Sequence, residues 1–142
     1  MFFPQLIQLT QLKAIWKKVQ PQPRTTKQMG DRAEDVALDY LQRSGLRLVT
    51  RNYRTPGRGG GEIDLIMNAP DGTCVFVEVR QRKTKHQGGA AASVSATKQR
   101  HIVHAARDYL MRLGYEPACR FDVVVMDAAE IQWLQAAFEA PF

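Results

Sequence analysis

The feature that most constrains the fold is a pair of β-rich segments, Glu62–Asn68 and Cys74–Gln81, joined by residues 69–73. The joining residues read Ala-Pro-Asp-Gly-Thr, a composition typical of a turn, so the two segments predict a β-hairpin. Directly paired residues of a hairpin project to the same face of the sheet. A five-residue loop pairs residue i with residue 142 − i and places Asp64 opposite Glu78, whereas a four-residue loop turns Asp64 away.

Hydrophobic spacing predicts the other elements of the fold. We expect helices over residues 27–43 and 95–113, strands over residues 46–51, 121–126 and 131–134, and a last helical turn near residues 136–138. The order is αβββαβ with one added strand, which predicts an α/β fold with a mixed central sheet flanked by helices. Because the second helix is long enough to cross over the sheet, the fourth strand is expected to lie parallel to the third.

The chain of 142 residues is long enough for one hydrophobic core and too short for two ordinary domains. We interpret residues 1–26 as an N-terminal arm, mobile or docking as a helix, and residues 27–142 as a single domain. No apolar run exceeds four residues, where a membrane-spanning helix needs about 20. The two cysteines form neither a disulfide framework nor a zinc-binding spacing, so a cytoplasmic protein is expected.

The charge distribution is more informative than the net charge of +6. Residues 1–30, 43–60 and 80–107 carry basic side chains and no acidic ones. Basic stretches that bracket isolated carboxylates are expected where a polyanion approaches a site that holds a cation. The same pattern is also compatible with solvated loops and helix faces, so charge alone leaves both interpretations open.

In the register of the five-residue loop, the predicted hairpin would bring chemistry-bearing side chains together. Opposite each other, Asp64 and Glu78 would have Cβ atoms about 5 Å apart, and two such carboxylates suit a hard divalent cation that keeps several waters. Arg80 shares the strand face of Glu78, and Glu34 on the preceding helix can add a third carboxylate. Such a cation can polarise a phosphoryl oxygen and activate water. The alternatives are an ordinary ion pair between Glu78 and Arg80 and a solvated Glu34.

A set of motifs, taken together, resembles the YraN family of small bacterial proteins, which is assigned to the PD-(D/E)xK nuclease superfamily. The resemblance covers about residues 25–138. The motifs that carry it are Gly60-Gly-Glu-Ile-Asp64-Leu-Ile, Val75-Phe-Val-Glu78-Val-Arg80-Gln-Arg82, Gly88-Gly-Ala-Ala-Ala-Ser-Val94, Lys98-Gln and Arg120-Phe-Asp-Val123.

The resemblance implies a restriction-endonuclease-like fold, similar to archaeal Holliday junction resolvases, and a site for Mg²⁺ or Mn²⁺. In that site Asp64 is the first acid, Glu78 the second and Val79 a further metal contact, while Glu34 matches the helical acid of the resolvase-like branch. Arg80 stands where the superfamily usually has lysine. Arginine keeps the positive charge but is never deprotonated, so it cannot accept a proton. Lys83 or Lys98 can supply the missing lysine instead.

Together these observations predict a metal-dependent endonuclease that acts on DNA, on branched or single-stranded forms, as a monomer or a homodimer. The residues expected to contact nucleic acid are Arg51, Arg54, Arg58, Arg82, Lys83, Lys85, Lys98 and Arg100. A rival interpretation is a nucleic-acid-binding adaptor that keeps the fold without turnover. A second rival is a protein-interaction scaffold whose N-terminal helix docks a partner.

Overall fold

The structure is a computed structural model that describes residues 25–82 and 94–140. The predicted arm, up to residue 24, lies outside the described residues, as do residues 83–93, which include Lys83 and Lys85. Within the described ranges, no helix is both long enough and apolar enough to cross a membrane.

Two helices form where the hydrophobic spacing predicts them, and each is bounded by local capping interactions. Helix α1 spans Thr26–Arg43 and helix α2 spans Ala96–Leu113. Thr25 and Gln28 form a reciprocal capping box at the start of α1, so the helix begins one residue earlier than the predicted range of 27–43. Ser95 caps α2, and Gly114 ends it in the left-handed conformation with φ 75°.

Five strands of the described residues form one sheet, which confirms the predicted α/β class with a mixed central sheet flanked by helices. The strands lie in sequence order across the sheet. They are β1 (Arg47–Arg54), β2 (Glu62–Asn68), β3 (Cys74–Gln81), β4 (Cys119–Met126) and β5 (Ile131–Phe138). Strands β3 and β4 pair in parallel, as predicted for two strands joined through α2, and the other neighbouring strands pair antiparallel.

Each face of the sheet buries one helix. Small and branched side chains of α1, among them Ala37 and Leu41, pack with Val75 and Val77 of β3 on one face. On the other face Ile102 and Ala105 of α2 pack with Phe76 and Phe121. Because β3 and β4 are covered on both faces, they read as nearly continuous apolar runs rather than alternating ones.

The predicted helical turn at residues 136–138 is wrong, because β5 continues to Phe138. The strand is instead interrupted by a bulge, where Ala136 adopts φ 49° and the register with β4 shifts. The fully buried carboxylate of Asp122 holds this bulge, since it accepts hydrogen bonds from the Ala136 amide at 3.0 Å and the Trp133 indole at 2.9 Å. Arg120 Nε lies 3.1 Å from the same carboxylate.

We expect Asp122→Ala to lower the free energy of unfolding by about 3–5 kcal/mol, because it leaves the partly buried Arg120 and the β5 donors without their acceptor. Urea denaturation monitored by circular dichroism measures the change. Asp39→Ala, which removes only an exposed ion pair with Arg43, is the matched control and should change stability by less than about 1 kcal/mol. Equal losses in the two variants would contradict this role of Asp122.

Candidate metal and nucleic-acid site

The site lies where strands β2 and β3 separate. Their ladder runs from Asn68 opposite Cys74 to Leu65 opposite Val77, which is the register of the five-residue loop and confirms that prediction. Beyond this last pair the Val79 amide donates to Asp64 Oδ2 at 2.8 Å instead of joining the main-chain ladder. Asp64 and Glu78 follow immediately after the last paired residues, and the negative charge of Asp64 acts on the Glu78 carboxyl.

Strand β2 keeps its pairing with β1 while it leaves β3. Arg51 pairs with Leu65 and Tyr53 with Ile63, and the residue between, Asn52, has a left-handed φ of 50° opposite Asp64. Ile63 packs in the α2 core although Leu65 packs in the α1 core, so the regular alternation of faces is broken at Asp64. Strands β1 and β2 are thus both irregular at the facing positions Asn52 and Asp64, and Asp64 carries the first carboxylate of the site.

Glu78 is a buried carboxylate, and only one of its two oxygens lies near a partner among the described residues. Only 3% of the residue is exposed, and Lys98 Nζ of α2 lies 3.6 Å from Glu78 Oε1. The other oxygen, Oε2, is buried without a hydrogen-bond partner among the described residues. Burial, followed by repulsion from Asp64, raises the pKa of Glu78 from its ordinary value of 4.5 to about 8, with Lys98 and Arg80 opposing the shift.

Glu34 of α1 approaches the same region from the opposite face of the sheet. Burial and then the negative charge of Asp64 raise the pKa of Glu34, so these two carboxylates lie within electrostatic reach. Arg51 Nη2 lies 3.6 Å from Glu34 Oε2, and its Nη1 forms a 2.8 Å ion pair with Asp35. Arg51, predicted to contact nucleic acid, is thus engaged with two acidic residues of α1.

The donors at this point suit a hard divalent cation. Two carboxylates share the site, and a buried Glu78 oxygen has no protein partner in the described ranges. Oxygen donors of this kind favour Mg²⁺ or Mn²⁺. No three Asp, Glu, His or Cys side chains of the described chain form a metal-ligand group, so a bound ion would draw on Asp64, Glu78 and waters. Val79 can contribute only through its main-chain oxygen, because its side chain has no donor atom.

The predicted nucleic-acid contacts fall into two groups in the structure. Arg82 is largely buried, with Nη2 3.9 Å from Asp127 Oδ2, so its guanidinium stabilises the end of β3 rather than lying on the surface. Lys98 is one-third exposed and points at Glu78. Among the other predicted contacts, Arg54, which also pairs with Glu62, Arg58 and Arg100 are exposed, and so is Arg80, which was predicted at the site itself.

The approach of α2 to the site depends on Gly61. A Cβ atom added at Gly61 would lie 1.9 Å from the His101 carbonyl oxygen and 3.0 Å from Ala105 Cβ. The glycine is held by Thr55, whose hydroxyl accepts from the Gly61 amide at 2.6 Å. The sequence predicts a glycine-rich loop before β2, but only the packing shows that one of these glycines contacts the helix that carries Lys98.

We expect Gly61→Ala to destabilise the protein by about 1–3 kcal/mol, because the new methyl group must push the main chain of α2 away from β2. Thermal unfolding measures the effect. Gly30→Ala is the control, since a Cβ there meets nothing within 4 Å and the residue lies inside α1, where alanine is favoured. A Gly61→Ala variant as stable as Gly30→Ala would contradict the close packing.

The raised pKa of Glu78 predicts a pH-dependent cost to stability. Below pH 4.5 both folded and unfolded states are protonated; between pH 4.5 and about 8 only the unfolded state loses the proton, so stability falls as pH rises. We therefore expect Glu78→Gln to stabilise the protein, by a margin of the order of 2 kcal/mol that grows above pH 4.5 and levels off above about pH 8. Unfolding curves from pH 5 to 9 test this, with Glu130→Gln on an exposed turn as control. A margin independent of pH would contradict it.

The family model and the similar proteins all identify one family for this chain. Residues 33–126, which contain Asp64, Glu78 and Lys98, match the model of the uncharacterised protein family UPF0102. The chain is 68% identical over 123 residues to a UPF0102 protein of Albidiferax ferrireducens, covering 87% of this chain and 96% of the relative. It is 57% identical over 129 residues to one of Polaromonas naphthalenivorans, covering 84% of each chain. It is 60% identical over 116 residues to one of Paracidovorax citrulli, covering 82% of this chain and 86% of the relative. The chain therefore belongs to the UPF0102 family, which is the YraN family that its motifs resemble.

Proposed function

We propose that this protein is a metal-dependent nuclease that hydrolyses phosphodiester bonds in DNA. The observation that carries the proposal is the divergence of β2 and β3 at Asp64 and Glu78, where one buried Glu78 oxygen has no partner among the described residues. A like-charged pair of this kind is costly unless a cation lies between its members. The restriction-endonuclease-like arrangement of the sheet and helices supports the same function.

Each carboxylate of the site has a separate structural support. The Val79 amide orients Asp64, while the apolar core around Glu78 and the nearby Lys98 hold the second acid. Glu34, restrained by Arg51, adds negative charge on the α1 side. Asp64 and Glu78 would hold Mg²⁺ or Mn²⁺, which would supply a Lewis acid for the phosphoryl oxygen and lower the pKa of a bound water. The protein contributes a positioned pair of ligands and a cationic surface for the substrate.

The exposed cations favour a phosphate-rich substrate. Arg58 and Arg100 are exposed in the loop before β2 and in the first turns of α2, and Arg80 is exposed at the end of β3. Such contacts position a nucleic acid without reading its sequence. We therefore propose DNA, recognised through its phosphate backbone, as the substrate. Branched and single-stranded forms are the DNA substrates to test. We propose that the protein acts in the cytoplasm, as a monomer or a homodimer.

The catalytic proposal predicts that purified protein cleaves at least one DNA of a panel of duplex, flap, single-stranded and four-way forms when Mg²⁺ or Mn²⁺ is present. Asp64→Ala should reduce the rate about 100-fold or more, because it removes one of two carboxylate ligands. Glu116→Gln, on the exposed segment after α2, is the control and should cleave like the wild type. Absence of cleavage by the wild type, or equal cleavage by Asp64→Ala, would refute the catalytic proposal.

The phosphate-binding surface predicts a salt-dependent affinity. Arg58→Gln and Arg100→Gln should each weaken binding to all DNA sequences alike and reduce the slope of log K against log salt by about 1. Fluorescence anisotropy in Ca²⁺ measures this, with Arg43→Gln at the far end of α1 as the control. Binding that survives Asp64→Ala and Glu78→Ala, in a wild type that never cleaves, identifies the adaptor instead of the nuclease. Slopes unchanged by both arginine variants would contradict this binding surface.

A further inference from the structure

We propose that Lys98 of α2, and not Arg80 of β3, is the cationic catalytic residue of the Asp64–Glu78 site. The inference rests on the proposed nuclease function and names the side chain that contacts the scissile phosphate. Lys98 thereby takes the role of the lysine that the superfamily usually has two residues after the second acid, where this chain has Arg80. From the sequence, Lys98 was expected as one of several phosphate contacts and, together with Lys83, as a candidate for the missing lysine.

The ion pair between α2 and β3 carries this inference. Lys98 Nζ lies 3.6 Å from Glu78 Oε1, and one-third of the lysine side chain is exposed. The ammonium group therefore lies between a buried carboxylate and solvent, which is where a substrate phosphate must approach Glu78. Arg80 follows Glu78 on the same strand but is exposed, and in the described part of the chain no acidic oxygen lies within 4 Å of its guanidinium.

The packing of α2 explains why the lysine comes from this helix. Lys98, His101 and Ala105 follow one another at spacings of three and four, so they lie along one side of α2. The last two of these meet Gly61 at the start of β2, in contact so close that a side chain at Gly61 would overlap the His101 carbonyl. The helix is thereby seated one turn away from the site, with Lys98 directed toward Glu78.

The side-chain chemistry supports the same assignment. Lysine carries a compact ammonium with three rotatable donors on a flexible stem, so it can contact a carboxylate and a phosphoryl oxygen together. The guanidinium of Arg80, on an exposed strand end, is instead suited to a backbone phosphate outside the centre of the site. The two cations consequently have different roles, and matched glutamine variants separate them.

The first experiment measures steady-state cleavage by Lys98→Gln and Arg80→Gln with Mg²⁺. We expect Lys98→Gln to lower kcat about 100-fold or more while KM for DNA changes less than threefold, as for a group that acts mainly in the transition state. Arg80→Gln should keep kcat within threefold and raise KM. A loss of kcat in Arg80→Gln with kcat retained in Lys98→Gln would overturn the proposal.

The second experiment needs no turnover and uses the metal-free protein. Double-mutant cycles of thermal unfolding compare the coupling of Glu78→Gln with Lys98→Gln and with Arg80→Gln at pH 9, where the Glu78 carboxyl is ionised. We expect a coupling of about 3 °C or more for Lys98 and less than about 1 °C for Arg80. A larger coupling for Arg80 would overturn the proposal. If the wild type cleaves no DNA, the proposed function fails. The double-mutant cycles still show which of the two cations interacts with the Glu78 carboxylate.

Discussion

The organisation of this protein depends on the point at which β2 and β3 stop pairing. Up to Leu65 and Val77 the two strands form a regular antiparallel ladder, and beyond them the Val79 amide binds the Asp64 side chain. One hydrogen bond thus replaces a main-chain contact with a side-chain contact and fixes a carboxylate at the opening. Because β2 remains paired with β1 and β3 with β4, the opening is a local separation within a continuous sheet.

The carboxylates at this opening are held in an environment that disfavours their charged forms. Glu78 is almost completely buried, and Glu34 is also shielded from solvent on the side of α1. Both pKa values are raised, first by burial and second by Asp64. A protein that only needed stability would place apolar residues here, since unpaired buried charge is costly. Under the proposed function, a bound cation would neutralise these carboxylates and offset the cost of burying them.

The cations of the chain are divided between structural and surface roles, although they look alike in the sequence. Arg51 is engaged with Glu34 and Asp35, and Arg82 lies largely buried beside Asp127. Arg120 faces the buried Asp122 that holds the bulge of β5. Arg58 and Arg100 are exposed. The acid-free stretches therefore do not form a uniform basic surface, because their folded neighbours include carboxylates from distant parts of the chain.

Local patterns determined much of the fold. Caps and hydrophobic spacing located α1 and α2 within about a residue, and the Pro-Asp-Gly turn located the hairpin, with the five-residue loop as one of two registers that the sequence allowed. These features depend on neighbours in the sequence, so they can be predicted from it. The bulge at Ala136, the burial of Arg82 and the contact of Lys98 with Glu78 were decided only by the tertiary structure. Each depends on a residue far along the chain: Asp122 for the bulge, Asp127 for Arg82, and Gly61, whose missing side chain lets α2 approach the sheet.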